Sequence, residues 1–422
     1  GVIDSSDTPS TDAVGFQITN LDLGLGIFQT TKDSDPDKVI PKLFAMKAFA
    51  DSAGEVGLDV FDLEATGIEV LLNQGSVYKG QTGTNKISPY LDFSTLQAGG
   101  LSIETGGSSQ FLDFSESFLG LKAANAIIKI DEFVYIEGGF LFQKGAKKKV
   151  NVKTGVNLLT GAPLIPTFTE LQLKTDAVVS ADYTTITNLE VESVDIALTN
   201  VNAFVGYGIP DFDIPLENQE IFGVAITDID LGLSMMKVTE NLKNFPKFFG
   251  LKASAQEMKL LLGLDFFELS TSKIALEINH SSGWKGIKDA TPVVDFKSSF
   301  PDPTGVASGL VLDTGSDSVI LDMSDSIIGV SVEDALLKVG GFVYVGGNFA
   351  IQKGAAGEFD VKSMLANYND VKMDALTLGI SDAKVFLGLN GPYFGEGDVG
   401  DSIGFYADDV NVALGLFKAS KD

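Results

Sequence analysis

Chemistry needs nucleophiles, acids, bases or metal ligands within reach of one another, and this sequence offers few of them. There is one histidine, His280, in the string NHSSGW, and no cysteine. A lone histidine confines acid–base and zinc chemistry to a single position. Without cysteine there are no disulfides and no thiolate metal sites. Gly395, Gly397 and Gly400 have the spacing of a dinucleotide-binding turn. That device needs a strand before it and a helix after it; here the alternating run FYADDVNVAL follows, so the glycines read as a turn.

Carboxylates are the remaining candidates. Asp33, Asp35 and Asp37 alternate as in a calcium loop but lack the downstream glycine and glutamate. Two acidic loops recur at corresponding places, one with Asp211, Asp213, Glu217 and Glu220 and one with Glu396, Asp398 and Asp401. Hard oxygen ligands there would suit Ca²⁺; the plainer reading is a charged turn that keeps strand edges soluble. The strings LDFSES from Leu112 and LDMSDS from Leu321 keep Asp113/Asp322, Ser115/Ser324 and Glu116/Asp325. Paired carboxylates suggest glycoside hydrolysis, yet both copies are intact, which favours a hydrogen-bonded bend.

Among 422 residues, 57 acids stand against 30 bases, all lysine, for a formal charge of −27. Arginine-poor, acidic surfaces exclude nucleic acid as a partner. The longest uncharged stretch, Thr154 to Thr169, holds Pro163 and Pro166 and is too polar to span a membrane. The chain opens at Gly1 with no signal segment, so the expectation is a processed or excised piece.

Internal repetition explains most of the pattern. GFQITNLDLGLGIF from Gly15 returns as GVAITDIDLGLSMM from Gly223, 208 positions on. GLDVFDLEATGIEVLLN returns 206 positions on, and the long string from Leu112 returns 209 positions on. SVDIALTNVNAFVGYG from Ser193 returns at Ala375, an offset of only 182, so the second copy has lost about 26 residues after Gly354. GFYADDVNVALGLF from Gly404 repeats the opening strand once more. The boundaries are an extension at 1–14, one unit at 15–221, a shortened unit at 222–403, and a third first strand at 404–422.

The period within each unit is two. Phe61 and Leu63, then Ile68, Val70 and Leu72 alternate with polar residues, many strands carry a small or acidic residue near the middle, and 46 glycines punctuate them. Leu43 to Leu58 has some helical character but also alternates, and reads as strand. The fold class is all-β: two tandem units of ~200 residues, each with about 8–10 strands, forming an elongated β-sandwich or a solenoid-like array. Phe133, Tyr135 and Phe140, with Phe342, Tyr344 and Phe349, are expected at equivalent core positions.

The strings DLGLGIF, LFAMKAFADSAGEVGL, FDLEATGIEVLLN and EFVYIEGGFLF resemble repeat regions of very large bacterial surface proteins of the β-strand-repeat adhesin type. The resemblance implies a secreted, filamentous segment that spaces or displays other modules, at the cell surface or outside it. The residues themselves point the same way, to a non-catalytic structural protein of a fibre, stalk or surface layer. The C-terminal strand, with Val410, Val412, Leu414 and Leu416 in a row, is expected to dock head to tail near Phe16 to Phe28 of a neighbour. A lipid carrier with an apolar β groove is the alternative, decided by whether Phe140, Phe349, Phe61 and Phe267 face a filled core or an open channel. A carbohydrate-active enzyme is third.

Overall fold

The computed structural model describes residues 15–35, 37, 39–56, 61–78, 88–96, 99–104, 109–131, 133–240, 242, 245–261, 267–287, 290–302, 308–362, 367–395 and 400–419. The first half contributes β1 (Gly15–Thr19), β2 (Asp22–Phe28), β3 (Leu43–Val56), β4 (Phe61–Gly75), β5 (Leu101–Glu104), β6 (Ser109–Leu112), β7 (Phe118–Ile130), β8 (Val134–Lys153), β9 (Val178–Val179) and β10 (Thr185–Tyr207). The second half contributes β11 (Phe222–Val238), β12 (Phe248–Ala255), β13 (Glu257–Leu261), β14 (Phe267–Thr271), β15 (Lys273–Ser281), β16 (Val293–Asp295), β17 (Leu310–Asp313), β18 (Ser318–Leu321), β19 (Ile327–Val339), β20 (Val343–Lys362), β21 (Asn367–Leu389) and β22 (Ile403–Ala419). Among the described residues helices are confined to α1 (Ile165–Lys174), α2 (Phe296–Ser299) and short 3-10 turns. The all-β class holds, and the ambiguous stretch from Leu43 is β3.

Eighteen strands form one antiparallel sheet, while β5–β6 and β17–β18 are separate hairpins. The sheet is a meander. β1 and β2 share the edge position beside β3, followed by β4, β7, β8, β10 and β11; β12 with β13, and β14 with β15, fill the next two positions; β19, β20, β21 and β22 complete it. The sheet crosses the middle of the chain unbroken, with Gly206 opposite Gly223, and Gly388 opposite Gly404 in the same relation further on.

The acidic and small residues inside the long strands have a geometric task. Asn20, Asp228 and Asp409 have φ of 50°, 51° and 55°, and Asn200 and Asp382 have 51° and 52°. Left-handed backbone suits asparagine and aspartate among non-glycine residues, and it makes bulges. Register shifts fall beside these residues in β10, β11, β21 and β22. A bulge frees an N–H that needs an acceptor. Asn200 N donates to Asp230 Oδ1 at 3.0 Å, and Asp382 N to Asn411 Oδ1 at 3.2 Å.

The segment after β4, and that after β15, folds back over one face of the sheet as a cap. Each begins with an aspartate-capped turn: Asp92 accepts from Ser94 N, and Asp295 from Ser298 N. Each turn buries a phenylalanine, Phe93 or Phe296, and each continues into a hairpin that buries a leucine, Leu112 or Leu321. A buried asparagine ties each cap down. Asn73 donates to Leu91 O at 2.7 Å and Glu116 O at 2.6 Å; Asn279 donates to Val294 O at 2.8 Å and Asp325 O at 3.1 Å. Lys47 pairs with Asp113, and Lys252 with Asp322, at 2.5 and 2.8 Å. The capped face is lined by glycine so that the cap can approach. A Cβ on Gly250 would lie 2.5 Å from the Phe296 ring, and one on Gly232 would lie 2.9 Å from Val319.

The main core lies under the second cap. Leu310, Leu312, Leu321 and Phe296 meet Leu141, Val191 and Ala197 of the first half, together with Met236 of β11. It is extended by α1, which fills the β8–β10 connection with Phe168 and Leu171; this is the stretch whose counterpart the second half lacks. Trp284 is buried there, edge-on to Phe168 and Phe245, with Nε1 donating to Thr154 O at 2.8 Å. Phe133 and Phe342 are at equivalent places but not in the core: both follow a tight turn and are more than half exposed. Their backbone carbonyls, which accept from Gly206 and Gly388, are the part the structure uses.

Replacing Asn73 or Asn279 by leucine should cost about 1–3 kcal/mol each, because two buried carbonyls lose their donor; denaturant unfolding measures this. Asp230 gives a prediction of opposite sign. Burial raises its pKa; Asn200 N pulls the other way, and Asp228 and Asp317 add to the rise. Its charged form therefore opposes folding above that raised pKa. Asp230→Asn, which copies Asn411, should raise the melting temperature at pH 7, with the gain fading as pH falls through the aspartate range.

Candidate interaction surface

The residues singled out for chemistry do not converge. His280 is exposed on β15 opposite Phe249, and Ser281 beside it turns to the other face. Gly395 and Gly400 lie in turns before β22, which is a strand where a dinucleotide site needs a helix; Gly397 lies outside the described residues. Residues Gly400 to Gly404, GDSIG, also spell the Gly-x-Ser-x-Gly spacing of a nucleophile elbow. Ser402 donates to Asn390 O at 2.7 Å and leads into a strand, whereas the elbow joins a strand to a helix. Of the DSDPD run, Asp35 turns inward and accepts from Val39 N, Ile40 N and Thr30 Oγ1. Burial works against its charge, but these hydrogen bonds hold its pKa below the ordinary carboxylate value.

In the first acidic loop Asp211 Oδ1 accepts from Asp213 N at 3.0 Å, while Gln219 bridges Asp211 and Ile214. Glu217 lies in the 3-10 turn at 216–218, and Glu220 is exposed just before β11. The loop covers the ends of β8, β10 and β11 through Phe212, Leu216 and Ile221. An open pocket of about 560 Å³ lies beneath it, lined by Tyr135, Glu137, Asn200, Asp211 and Asp213. Burial, the hydrogen bond and charge of Glu137, and the charges of Asp211 and Glu64 push the Tyr135 hydroxyl far above its usual pKa, so it remains a donor. In the second loop Glu396 and Asp398 lie outside the described residues, and the Asp401 carbonyl accepts from Asn390. Among the described residues no three acidic or histidine side chains gather as a metal site.

One buried polar cluster escapes sequence reasoning. Asp195, fully buried, accepts from Lys148 Nζ and Gln143 Nε2 at 2.6 Å, from Ser193 at 2.8 Å and from Ser234 at 2.5 Å. Lys148 donates to Ser193 at 2.6 Å. The serine oxygen thus accepts a hydrogen bond from the lysine while its hydroxyl donates to Asp195, and Ser193 is itself buried. This is a satisfied ion pair. The sequence signal for it is a charged residue at an inward position of an alternating run, SVDIA.

The face opposite the caps is where the structure departs most from a closed domain. Leu23 pairs with Ala48, and the same row continues through Val70, Leu121, Phe142 and Ile196. It then passes Leu233, Leu251, Ile278 and Ile328 to Lys353, Leu376 and Leu416. A second row runs beside it from Ala50 and Ile68 through Phe140, Leu198 and Leu231 to Val330, Ile351, Leu378 and Leu414. Leu121 is 41% exposed, Ile351 49% and Leu414 50%. Val412, Leu414 and Leu416, expected along an assembly edge, thus project from the open face of β22, with Val410 half-buried opposite Ala383. What the edge of β22 offers is its backbone. Phe140 and Phe349 belong to this face too, neither in a filled core nor in a channel; Phe61 lies in β4, and Phe267 opposite Val339.

No protein-family model matches the chain, and no curated protein matches it. Asp195→Ala would strand the Lys148 ammonium in the core and should cost about 3–5 kcal/mol. Replacing both with apolar residues should recover most of that loss. Urea unfolding of the single and double variants checks both.

Proposed function

We propose that the chain is a non-catalytic structural segment of an extracellular fibre, stalk or surface layer, in which units of this fold join head to tail as an elongated array. The observation that carries the reading is the joint in the middle of the chain. There β11 lies beside β10, and the second cap reaches back onto the first half: β16 pairs with β8, Lys122 pairs with Asp313, Lys153 with Asp325, and Thr199 bonds Thr314. At the far end β22 lies beside β21 in the same relation, and the strands that would receive a further cap are open. Ile186 of β10 is fully buried, while its counterpart Tyr368 of β21 is 59% exposed. Acidity keeps such chains apart in solution, and the lack of cysteine fits a surface setting as well as a cytosolic one.

Strand direction specifies the joint. Every pairing in the sheet is antiparallel, and β22 occupies the thirteenth strand position counted from β1–β2, so the two run the same way. A translated neighbour meeting β22 with its β1–β2 edge would make a parallel contact. The antiparallel pattern continues if β22 takes the place beside β3 that β1–β2 hold, a donor-strand joint between chains. In a longer chain the same continuity is covalent. A carrier of lipid or another hydrophobic ligand is the second reading, favoured by the open apolar face; that face is an open sheet surface and would leave one side of a small ligand in water.

Electron microscopy of three forms tests the joint. The chain is expected to associate end to end. Deleting residues 403–422 should abolish the association, and deleting residues 1–28, which frees β3, should strengthen it. Filaments that survive loss of β22 sink the proposal.

A further inference from the structure

The open face carries an inference beyond end-to-end joining. Of its two central rows one crosses all thirteen strand positions and the other twelve, from β3 to β22; together they contain no glycine, no carboxylate and a single charge, Lys353. The capped face is the reverse, with Gly232 and Gly250 placed so that a hairpin can settle against the backbone. A face of projecting aliphatic and phenylalanine side chains is suited to interdigitate with another such face, as stacked sheets do at about 10 Å. Along one side the stripe is bounded by bulge residues such as Asn200, Asp228 and Asp382, and along the other, in the first half, by the ion pairs Lys147–Glu190 and Lys237–Glu192. A polar-rimmed apolar patch of this extent marks an interface.

We infer that a second copy of this chain covers the stripe, sheet face against sheet face. Area supports that occupant. At a strand spacing of ~4.8 Å the stripe is roughly 60 Å long, and its two rows with the side chains that flank them make it roughly 15 Å wide. That is on the order of 1,000 Å², against ~800 Å² per partner in a stable interface of standard size. Charge supports it as well. A formal charge of −27 opposes an anionic bilayer; two copies also repel one another, but their carboxylates lie outside the two central rows and so away from the contact. The face is distinct from both sheet edges, so this pairing is lateral and leaves the head-to-tail joint available.

Sedimentation of the intact chain over a range of concentrations should show a dimer. Leu121→Lys with Leu376→Lys replaces two exposed side chains near opposite ends of the stripe and should raise the dimer dissociation constant roughly a hundredfold or more, with circular dichroism and melting temperature close to those of the parent. Leu25→Ser with Leu414→Ser serves if the lysine pair fails to fold, and should weaken the dimer in the same direction. The chain lacking residues 403–422 should still dimerise, which separates this contact from the strand joint. A parent chain that stays monomeric, a dimer indifferent to both pairs of substitutions, or a monomer that instead floats with phosphatidylcholine vesicles would each overturn the inference.

Discussion

A sheet one layer thick buries nothing unless something is held down on it, and here the hold is a side-chain amide. Asn73 and Asn279 lie fully buried in the strand that precedes each cap, and each donates to the two ends of its cap segment, once just before the buried phenylalanine and once just before the next long strand. The cap then closes as a loop whose backbone polar groups are met at its roots. Everything that follows depends on this closure: the phenylalanine over the glycine-lined face, the hairpin leucine beside it, and the exposed lysine–aspartate pair at the margin. The lysine pairs are partly solvated and contribute little by themselves. The amides, lacking any alternative partner, fix where the cap lands.

Polarity in the two halves follows what covers them. Lys148, Ser193, Asp195 and Ser234 form their cluster on the face that the second cap closes. The corresponding positions in the second half are Gly357, Ala375, Thr377 and Gly415, where no cap lies among the described residues. A buried charge needs a complete shell. Under the cap that shell exists, and in the open stretch small uncharged residues stand instead. The Asn–Lys–Asp set, by contrast, recurs in both halves because each half supplies its own cap. What the duplication keeps is therefore the apparatus of closure, and what it changes is the lining of the space closed by the neighbouring unit.

Alternation made the strands legible, and the offsets of 208 and 182 residues located both the recurring first strand and the missing piece that proves to be α1. The acidic interruptions in the strands were visible as residues but not as bulges, because left-handed backbone at Asp228 or Asn200 is decided by the neighbour that accepts the freed N–H. LDFSES and LDMSDS were correctly read as bends, yet the amide that holds them is some 40 residues away and leaves no local mark. The aromatic pairs misled in part: Phe133 and Phe342 recur because the turn they occupy recurs, and recurrence was taken for burial. A period of two distinguishes two faces but says nothing of which one is covered. That is why the residues of β22 were assigned to an edge when they belong to a face.

Edges and faces place different demands on such a sheet. An edge offers backbone groups, and any strand of the right direction satisfies them; a face offers side chains, and satisfies itself only against a surface of matching relief. Bulges bend the long strands at a common row, and the bend gives the face its relief. Where a cap comes closest, the capped face gives way to glycine, as at Gly232 and Gly250, while Leu141, Val191 and Met236 pack around the points of approach. The opposite face sets leucine, isoleucine, valine and phenylalanine in register across the strands. Two faces built from one alternating code thus differ in their cover: glycines on one face let the chain's own caps settle against the backbone, and the other face, without them, is left open by this chain.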